Sequence, residues 1–180
     1  MRAALDLFVE QGYDNTGVVE IAERAGLTKS TFFRYFPDKR EVLFVGQERL
    51  NGLLADGIAG APATATPLEA VAAALDAVAV VFPPERREFA SRRRTVIAAN
   101  TELQERDALK RAGFAAAMTE ALERRGVSDP TASVAAELGV LAFRSAFARW
   151  AGPTCEQAFH ELAREELEAL QAASASLSRG

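Results

Sequence analysis

In 180 residues there is one cysteine, one histidine and one tryptophan. A lone Cys (Cys155) excludes an internal disulfide and fits a reducing cytoplasm. With His160 the only histidine, nothing in the sequence supports a His/Cys metal site or a thiol–histidine dyad, and neither a metal nor another cofactor is expected. Isolated acids such as Glu120, Glu137 and Glu161 are present without a nucleophile–base pair or metal-ligand spacing, so an enzyme is not expected. Every long apolar region is interrupted by charge, so no membrane span is expected. Asp6 and Glu10 break the N-terminal hydrophobic pattern that a signal peptide would keep intact. β-Branched runs are few while Ala and Leu abound, which favours an all-α fold. An excess of positive charge is missing too: 21 Lys and Arg stand against 25 Asp and Glu, a net of −4. That balance argues against indiscriminate nucleic-acid binding. What is present is ordinary globular material. Hydrophobic residues make up 49%, enough at this length for one or two helical domains with a sizeable core.

Residues 16–39, TGVVEIAERAGLTKSTFFRYFPDK, carry the densest local signal. Thr16 can cap a helix whose apolar face is Val18, Val19, Ile21, Ala22 and Ala25. Gly26 ends it, being the residue best able to take a left-handed conformation. Thr28 can cap a second helix, which must be short because Pro37 disfavours helical geometry at Phe36. Two helices joined by a tight Gly-containing turn are either a plain αα-hairpin or a helix-turn-helix, whose second helix enters the DNA major groove. Thr28, Lys29, Ser30, Thr31 and Arg34 can all donate hydrogen bonds, and no acid lies between Thr28 and Phe36. Phe32 and Phe36 can pack inward, leaving Phe33 and Tyr35 outward.

The segment ALDLFVEQGYDNT, then EIAERAGLTKSTFFRYF, then PDKREVLF resembles the DNA-binding domain of TetR-family transcriptional regulators. Ile21, Ala22, Ala25, Gly26, Thr31, Phe36, Lys39 and Leu43 match the family pattern, and Leu27 and Thr28 are near-substitutes. Ser30 stands for a frequent Gly, Phe33 for the usual Tyr and Tyr35 for a frequent His. The resemblance implies phosphate contacts from Thr16, Thr31, Phe33, Tyr35 and Lys39 and base contacts from Lys29, Ser30 and Arg34, with Thr28 beside them. Family members usually begin with a basic arm; here Met1 sits almost at the first helix. A chain starting there is expected to bind more weakly, with a shallower salt dependence. Residues 1–45 hold six cations and seven acids, but four of the cations fall between Lys29 and Arg40 with only Asp38 against them. The positive field is therefore local.

Along the rest of the chain, Ala4, Leu5, Phe8 and Val9 mark a first helix closed by Gly12. Asp38 and Glu41 have capping-box spacing and are expected to open a fourth helix running to about Asp56. GIAGAPATAT (57–66) is a loop. Thr66, Pro67 and Glu69 open a fifth helix. A sixth, from about Glu85 to Asn100, carries Arg86, Arg87, Arg92, Arg93 and Arg94, chiefly as a solvated face. Arg93 alone lies four residues from both Phe89 and Ile97 and can meet a ligand carboxylate or phosphate. Thr101 to Arg125, about 130 to Trp150, and a segment capped at Thr154 complete the set, with SASLSRG expected to fray.

The sum is an all-α fold of about nine helices. An N-terminal three-helix helix-turn-helix domain (1–45) is joined by a connecting helix to a C-terminal helical ligand-binding and dimerisation domain (46–180). The last two helices are apolar on more than one face, and the resemblance implies a homodimer through about 130–170. Phe82, Phe89, Arg93, Phe114, Met118, Phe143 and Phe147 are the expected lining of an effector pocket. The resemblance further implies a cytoplasmic, ligand-responsive regulator: a repressor released from a palindromic operator in double-stranded DNA by a small, largely apolar effector. The alternative is a helical small-molecule-binding module with weak or no specific DNA binding.

Overall fold

A computed structural model describes residues 1–177. Among them are nine α-helices and no strand. The helices are α1 (Arg2–Gln11), α2 (Val18–Arg24), α3 (Lys29–Tyr35), α4 (Gln47–Gly60), α5 (Pro67–Val78), α6 (Arg87–Ala98), α7 (Thr101–Arg124), α8 (Asp129–Trp150) and α9 (Phe159–Leu177). Short 3-10 turns lie at Glu41–Phe44, Ala79–Val81 and Pro84–Arg86. The chain divides into two compact units. The first joins residues 1–47 to 89–110; the second joins 48–88 to the chain from 111 onward.

In the first unit Leu5, Phe8, Ile21, Phe32, Leu43 and Phe44 pack with Val96, Ile97 and Leu103. The three-helix head therefore completes its core with residues from α6 and α7. Gly26, at φ 68, turns α2 into α3. The Leu27 N–H reaches back to the Ala22 carbonyl at 2.8 Å and the Gly26 N–H to Glu23 at 3.0 Å, closing the orphan carbonyls of α2.

Two local expectations are corrected. Gly17, not Thr16, is the N-cap of α2, with the Glu20 carboxylate accepting the Gly17 N–H at 2.7 Å. And the spacing at Asp38–Glu41 does not open a long helix. Asp38 Oδ1 accepts the N–H groups of Arg40 (2.8 Å) and Glu41 (3.2 Å), but the turn it caps ends at Phe44, and α4 starts only at Gln47, after Gly46 at φ 92. Glu41 cannot close the box because its carboxylate is bound elsewhere.

In the second unit α8 buries Ala132, Ala135, Ala136, Gly139, Ala142, Ala146 and Trp150. These pack against Ala70, Val71, Ala74, Leu75 and Val78 of α5 and Phe159, Leu162, Ala163 and Leu167 of α9. Small residues allow close crossings. A Cβ on Gly57 would lie 2.6 Å from the Ala74 Cα and 2.9 Å from the Ala73 carbonyl. Backbone cannot swing aside as a side chain can, so Gly57→Val should cost about 1–3 kcal/mol, read as a lowered midpoint in urea; an unchanged midpoint would contradict this crossing. Arg125 satisfies the end of α4 by donating to the carbonyls of Ile58 (3.1 Å), Ala61 (2.8 Å) and Pro62 (2.6 Å). By length and composition α8 is apolar enough to cross a membrane, contrary to the expectation from the sequence. Its charged Glu137, Arg144 and Arg149, and its buried face against α5 and α9, are features of a bundle helix. Of the tail expected to fray, residues 174–177 belong to α9; Ser178, Arg179 and Gly180 lie outside the described residues.

Candidate nucleic-acid interface

The short helix α3 presents one buried residue, Phe32, and an exposed polar face. Thr28 caps it, its Oγ1 accepting the Thr31 N–H at 3.1 Å while the two hydroxyls lie 2.9 Å apart. Phe32 holds the helix down through ring contacts to Phe36 at 5.2 Å and Phe33 at 5.6 Å. Phe36 is extended (φ −134, ψ 123), as Pro37 requires. Lys29, Ser30 and Arg34 are exposed. Among the described residues, neither Lys29 nor Arg34 has an acidic partner. Phe33 and Tyr35 are 47% and 65% exposed, and the Arg34 guanidinium sits 5.1 Å from the Tyr35 ring with a 3.4 Å bond to its hydroxyl. Side chains of this kind, with no carboxylate among them, suit a polyanion whose bases offer acceptors.

Two residues expected on this face are bonded to the head itself. Thr16 is 2% exposed. Its hydroxyl donates to the Gly12 carbonyl at 2.7 Å, pinning the α1–α2 turn, so the side chain cannot reach a phosphate. Lys39 donates to the carbonyls of Tyr13 (2.8 Å) and Thr16 (3.2 Å), and its ammonium lies 4.2 Å from the Tyr13 ring centre. Two of its three N–H donors are thereby occupied, and Lys39 braces the turn that positions α2. Thr16 is buried and Lys39 half-buried, while Thr28, Lys29, Ser30, Phe33, Arg34 and Tyr35 are exposed and Thr31 is half-buried beside them.

A polar network that sequence spacing did not reveal fixes the base of the head. Tyr13 donates to Glu102 at 3.1 Å, and Arg40 bridges Glu102 (3.2 Å) and Asp38 (2.5 Å). Glu41 receives both Arg106 and Lys110, the latter at 3.1 Å. Burial pushes the Tyr13 hydroxyl well above its ordinary range, and Glu102 adds to it. Arg40 holds Asp38 below the usual carboxylate range, chiefly through its side-chain hydrogen bond. Burial works to raise Glu41, but the bonds from Arg106 and Lys110 prevail and hold it low. Both carboxyls therefore bind a proton less readily folded than unfolded. The stability they contribute is present above their ordinary values of 3.8 and 4.5 and is lost as pH falls through the depressed folded values. Thermal melts from pH 7 to pH 3 should show the midpoint falling on the acid side, with Glu41→Gln less stable at pH 7 and less steep below. Parallel profiles would contradict this.

The arginines between residues 86 and 94 are not a free basic face. Arg92 pairs with Asp6 at 2.7 Å, Arg86 reaches the Val81 carbonyl at 3.4 Å, and Arg94 also has a partner. Arg93, expected at a ligand, donates to the Leu43 carbonyl at 2.6 Å and lies 5.0 Å from the Phe44 ring. It belongs to the first unit, where burial lowers its pKa and Asp107 partly offsets that. Phe89 likewise packs on the first core. Both thus belong to the first unit, and the other expected ligand residues to the second.

Those others do come together. Phe82 lies 5.7 Å from both Phe143 and Phe147, and Phe114 is 5.3 Å from Phe143. Met118 is buried against Gly139. The cluster extends to two residues that the sequence did not single out, Trp150 (5.4 Å from Phe82) and Phe159 (4.4 Å). Arg87 lies over Trp150 at 5.5 Å and donates to the carbonyls of Cys155 and Gln157. Arg87 Nε and Trp150 Nε1 are buried donors with no acceptor among the described residues. Burying such a donor unmet costs about 1–3 kcal/mol.

Residues 1–44 match the profile of bacterial regulatory proteins of the tetR family. The HTH-type transcriptional regulator TcmR of Streptomyces glaucescens is 37% identical over 78 residues, 43% of this chain and 34% of its own length. The HTH-type transcriptional activator FasR of Mycolicibacterium smegmatis is 36% identical over 64 residues, 36% of this chain and 29% of its own. These matches thus span about a third of each curated relative. The crystal structure of Thermus thermophilus FadR, a transcriptional repressor in complex with lauroyl-CoA, covers 94% of this chain and 90% of its own at 24% identity, with a TM-score of 0.52. That likeness shows the all-helical fold.

Proposed function

Since the chain belongs to the TetR family of regulatory proteins, we propose that it binds double-stranded DNA through α3 and regulates transcription in the cytoplasm. The observation that carries this reading is the exposed face of α3, where Lys29, Ser30 and Arg34 stand beside Phe33 and Tyr35 without an acid. Arg34 and Lys29 suit guanine O6 and N7. Thr28, Thr31, Tyr35 and the backbone at Phe33 suit flanking phosphates. In this reading residues 1–45 are the DNA-binding part and 46–180 the ligand-binding and dimerisation part. A homodimer through residues 130–170 sets two recognition helices about 34 Å apart, one helical turn of a palindromic site.

The regulator is a repressor in this reading, released by an effector bound in the second unit. The aromatic cluster supplies apolar walls, and the unmatched donors of Arg87 and Trp150 favour an effector that carries a carbonyl or carboxylate acceptor. The effector must favour the conformation that does not bind DNA, and by linkage DNA must weaken the effector equally. Selection of bound fragments from a random DNA library tests the reading. Enrichment of one palindromic motif, relaxed at one base pair of each half-site in an Arg34→Ala chain, is expected. Recovery of unenriched sequence would instead favour a helical ligand-binding module without specific DNA recognition.

A further inference from the structure

The helix-turn-helix is entered through the connection between α1 and α2 (12–17) and left through the stretch after α3 (36–41). One side chain from outside both stretches touches each of them. Glu102, in the first turn of α7, accepts the Tyr13 hydroxyl on Oε2 at 3.1 Å and an Arg40 N–H on Oε1 at 3.2 Å, from 89 and 62 residues away along the chain. Arg40 in turn holds Asp38, whose Oδ1 caps the turn that follows Pro37. Tyr13 is buried, its ring 5.1 Å from Phe8 and beneath the Lys39 ammonium. The ring is thus fixed by the head, and its hydroxyl is what reaches Glu102.

The start of α7 is itself fixed beside this turn. Leu103 is fully buried in the core of the head. Asn100 Oδ1 accepts the Leu103 N–H at 3.3 Å, while its Nδ2 reaches Asp14 at 3.4 Å.

Resting on the DNA-binding reading above, we propose that Glu102 is a positioning residue of the reader: from α7 it clamps the two ends of the helix-turn-helix together and so sets the angle at which α3 meets the bases. A carboxylate suits this, since its two oxygens take one donor from each end at once. Its worth lies in placement and not in holding the fold. The Glu102 side chain is half exposed, and an ion pair so wetted adds little stability. The buried core of Leu5, Phe8, Ile21, Phe32 and Leu43 supplies that. Placement matters unequally for DNA. Base contacts must be aimed to within about half an ångström, whereas phosphate contacts hold the protein on any sequence.

Fluorescence anisotropy of the full chain on the palindrome enriched from the random library, and on a random-sequence duplex, tests the proposal. Glu102→Ala removes both contacts; Tyr13→Phe keeps the ring and removes only the hydroxyl. Glu102→Ala should weaken palindrome binding by about tenfold. Random-sequence binding should stay unchanged or tighten, because the chain has lost a negative charge. Tyr13→Phe should show a smaller loss of the same kind. The double variant should lose no more than Glu102→Ala alone, since the two substitutions break one contact. Melting temperatures should stay close to that of the unmodified chain. A surface acid without this role predicts the opposite sign, its removal tightening both DNAs. Palindrome binding unchanged or tightened by Glu102→Ala, equal losses on the two DNAs, losses that add in the double variant, or a loss that only accompanies a fallen melting temperature would overturn the clamp and leave the DNA-binding reading in place. An unmodified chain with no preference for any palindrome would overturn that reading and the proposal with it.

Discussion

Arg34→Ala is expected to weaken binding to the chain's own operator by roughly thirty- to twenty-thousand-fold. Each well-placed bidentate contact to a base is worth about 1–3 kcal/mol. A dimer presents α3 twice, so one substitution removes two such contacts, about 2–6 kcal/mol together. Arg34 is exposed and, among the described residues, its only polar contact is with its neighbour Tyr35, so the melting temperature should stay where it is. The loss should be unequal across sequences. Preference should relax at one base pair in each half-site and persist elsewhere. Fluorescence anisotropy on the operator and on its single-base variants reads this directly. A uniform loss on every sequence would instead make Arg34 a phosphate contact.

Phe32→Ala is expected to cost about 3–5 kcal/mol of stability, in line with truncation of a buried aromatic ring. Phe32 is 2% exposed and sits where α3 meets the core that Leu5, Phe8, Ile21 and Leu43 share. It is the one buried residue of the seven-residue helix α3, so the recognition face should lose its order with the ring. A fall in the thermal midpoint on the order of 10 °C, with loss of operator binding, is the expected result. Phe33→Ala is the control. Its ring is about half exposed, and its removal should leave stability within about 0.5 kcal/mol. Equal costs for the two substitutions would mean that α3 does not turn Phe32 inward and Phe33 outward.

What the sequence made legible depended on distance along the chain. Gly26 and Pro37 act on their immediate neighbours, so the turn into α3 and its end could be read directly. The inward Phe32 and outward Phe33 and Tyr35 follow from helical spacing over five residues. The bonds that hold Thr16 and Lys39 within the head come from groups that spacing does not reveal. Lys39 is held by carbonyls 26 and 23 residues away, and Thr16 by a carbonyl on the far side of the α1–α2 turn.

The arginines of α6 show the same limit. A stripe of apolar residues favoured Arg93 as the inward one, and inward it is, but toward the head, against Leu43 and Phe44. Arg87 reaches the second unit's aromatic cluster because the division between units falls between residues 88 and 89, which no periodicity marks. Capping-box spacing at Asp38 to Glu41 was real as a pattern. Its last member was already held by Arg106 and Lys110, so the pattern capped a turn instead of a helix.

If a small group of α3 side chains makes this chain a sequence-specific DNA reader, its operator binding must withstand competition. Anisotropy with the palindrome from the gene's own upstream region, titrated with excess random-sequence competitor, tests this most directly. The predicted result is tight binding of one dimer per palindrome that survives the competitor and is lost when either half-site is scrambled. Binding that is weak, disappears with the competitor and is indifferent to scrambling would contradict it.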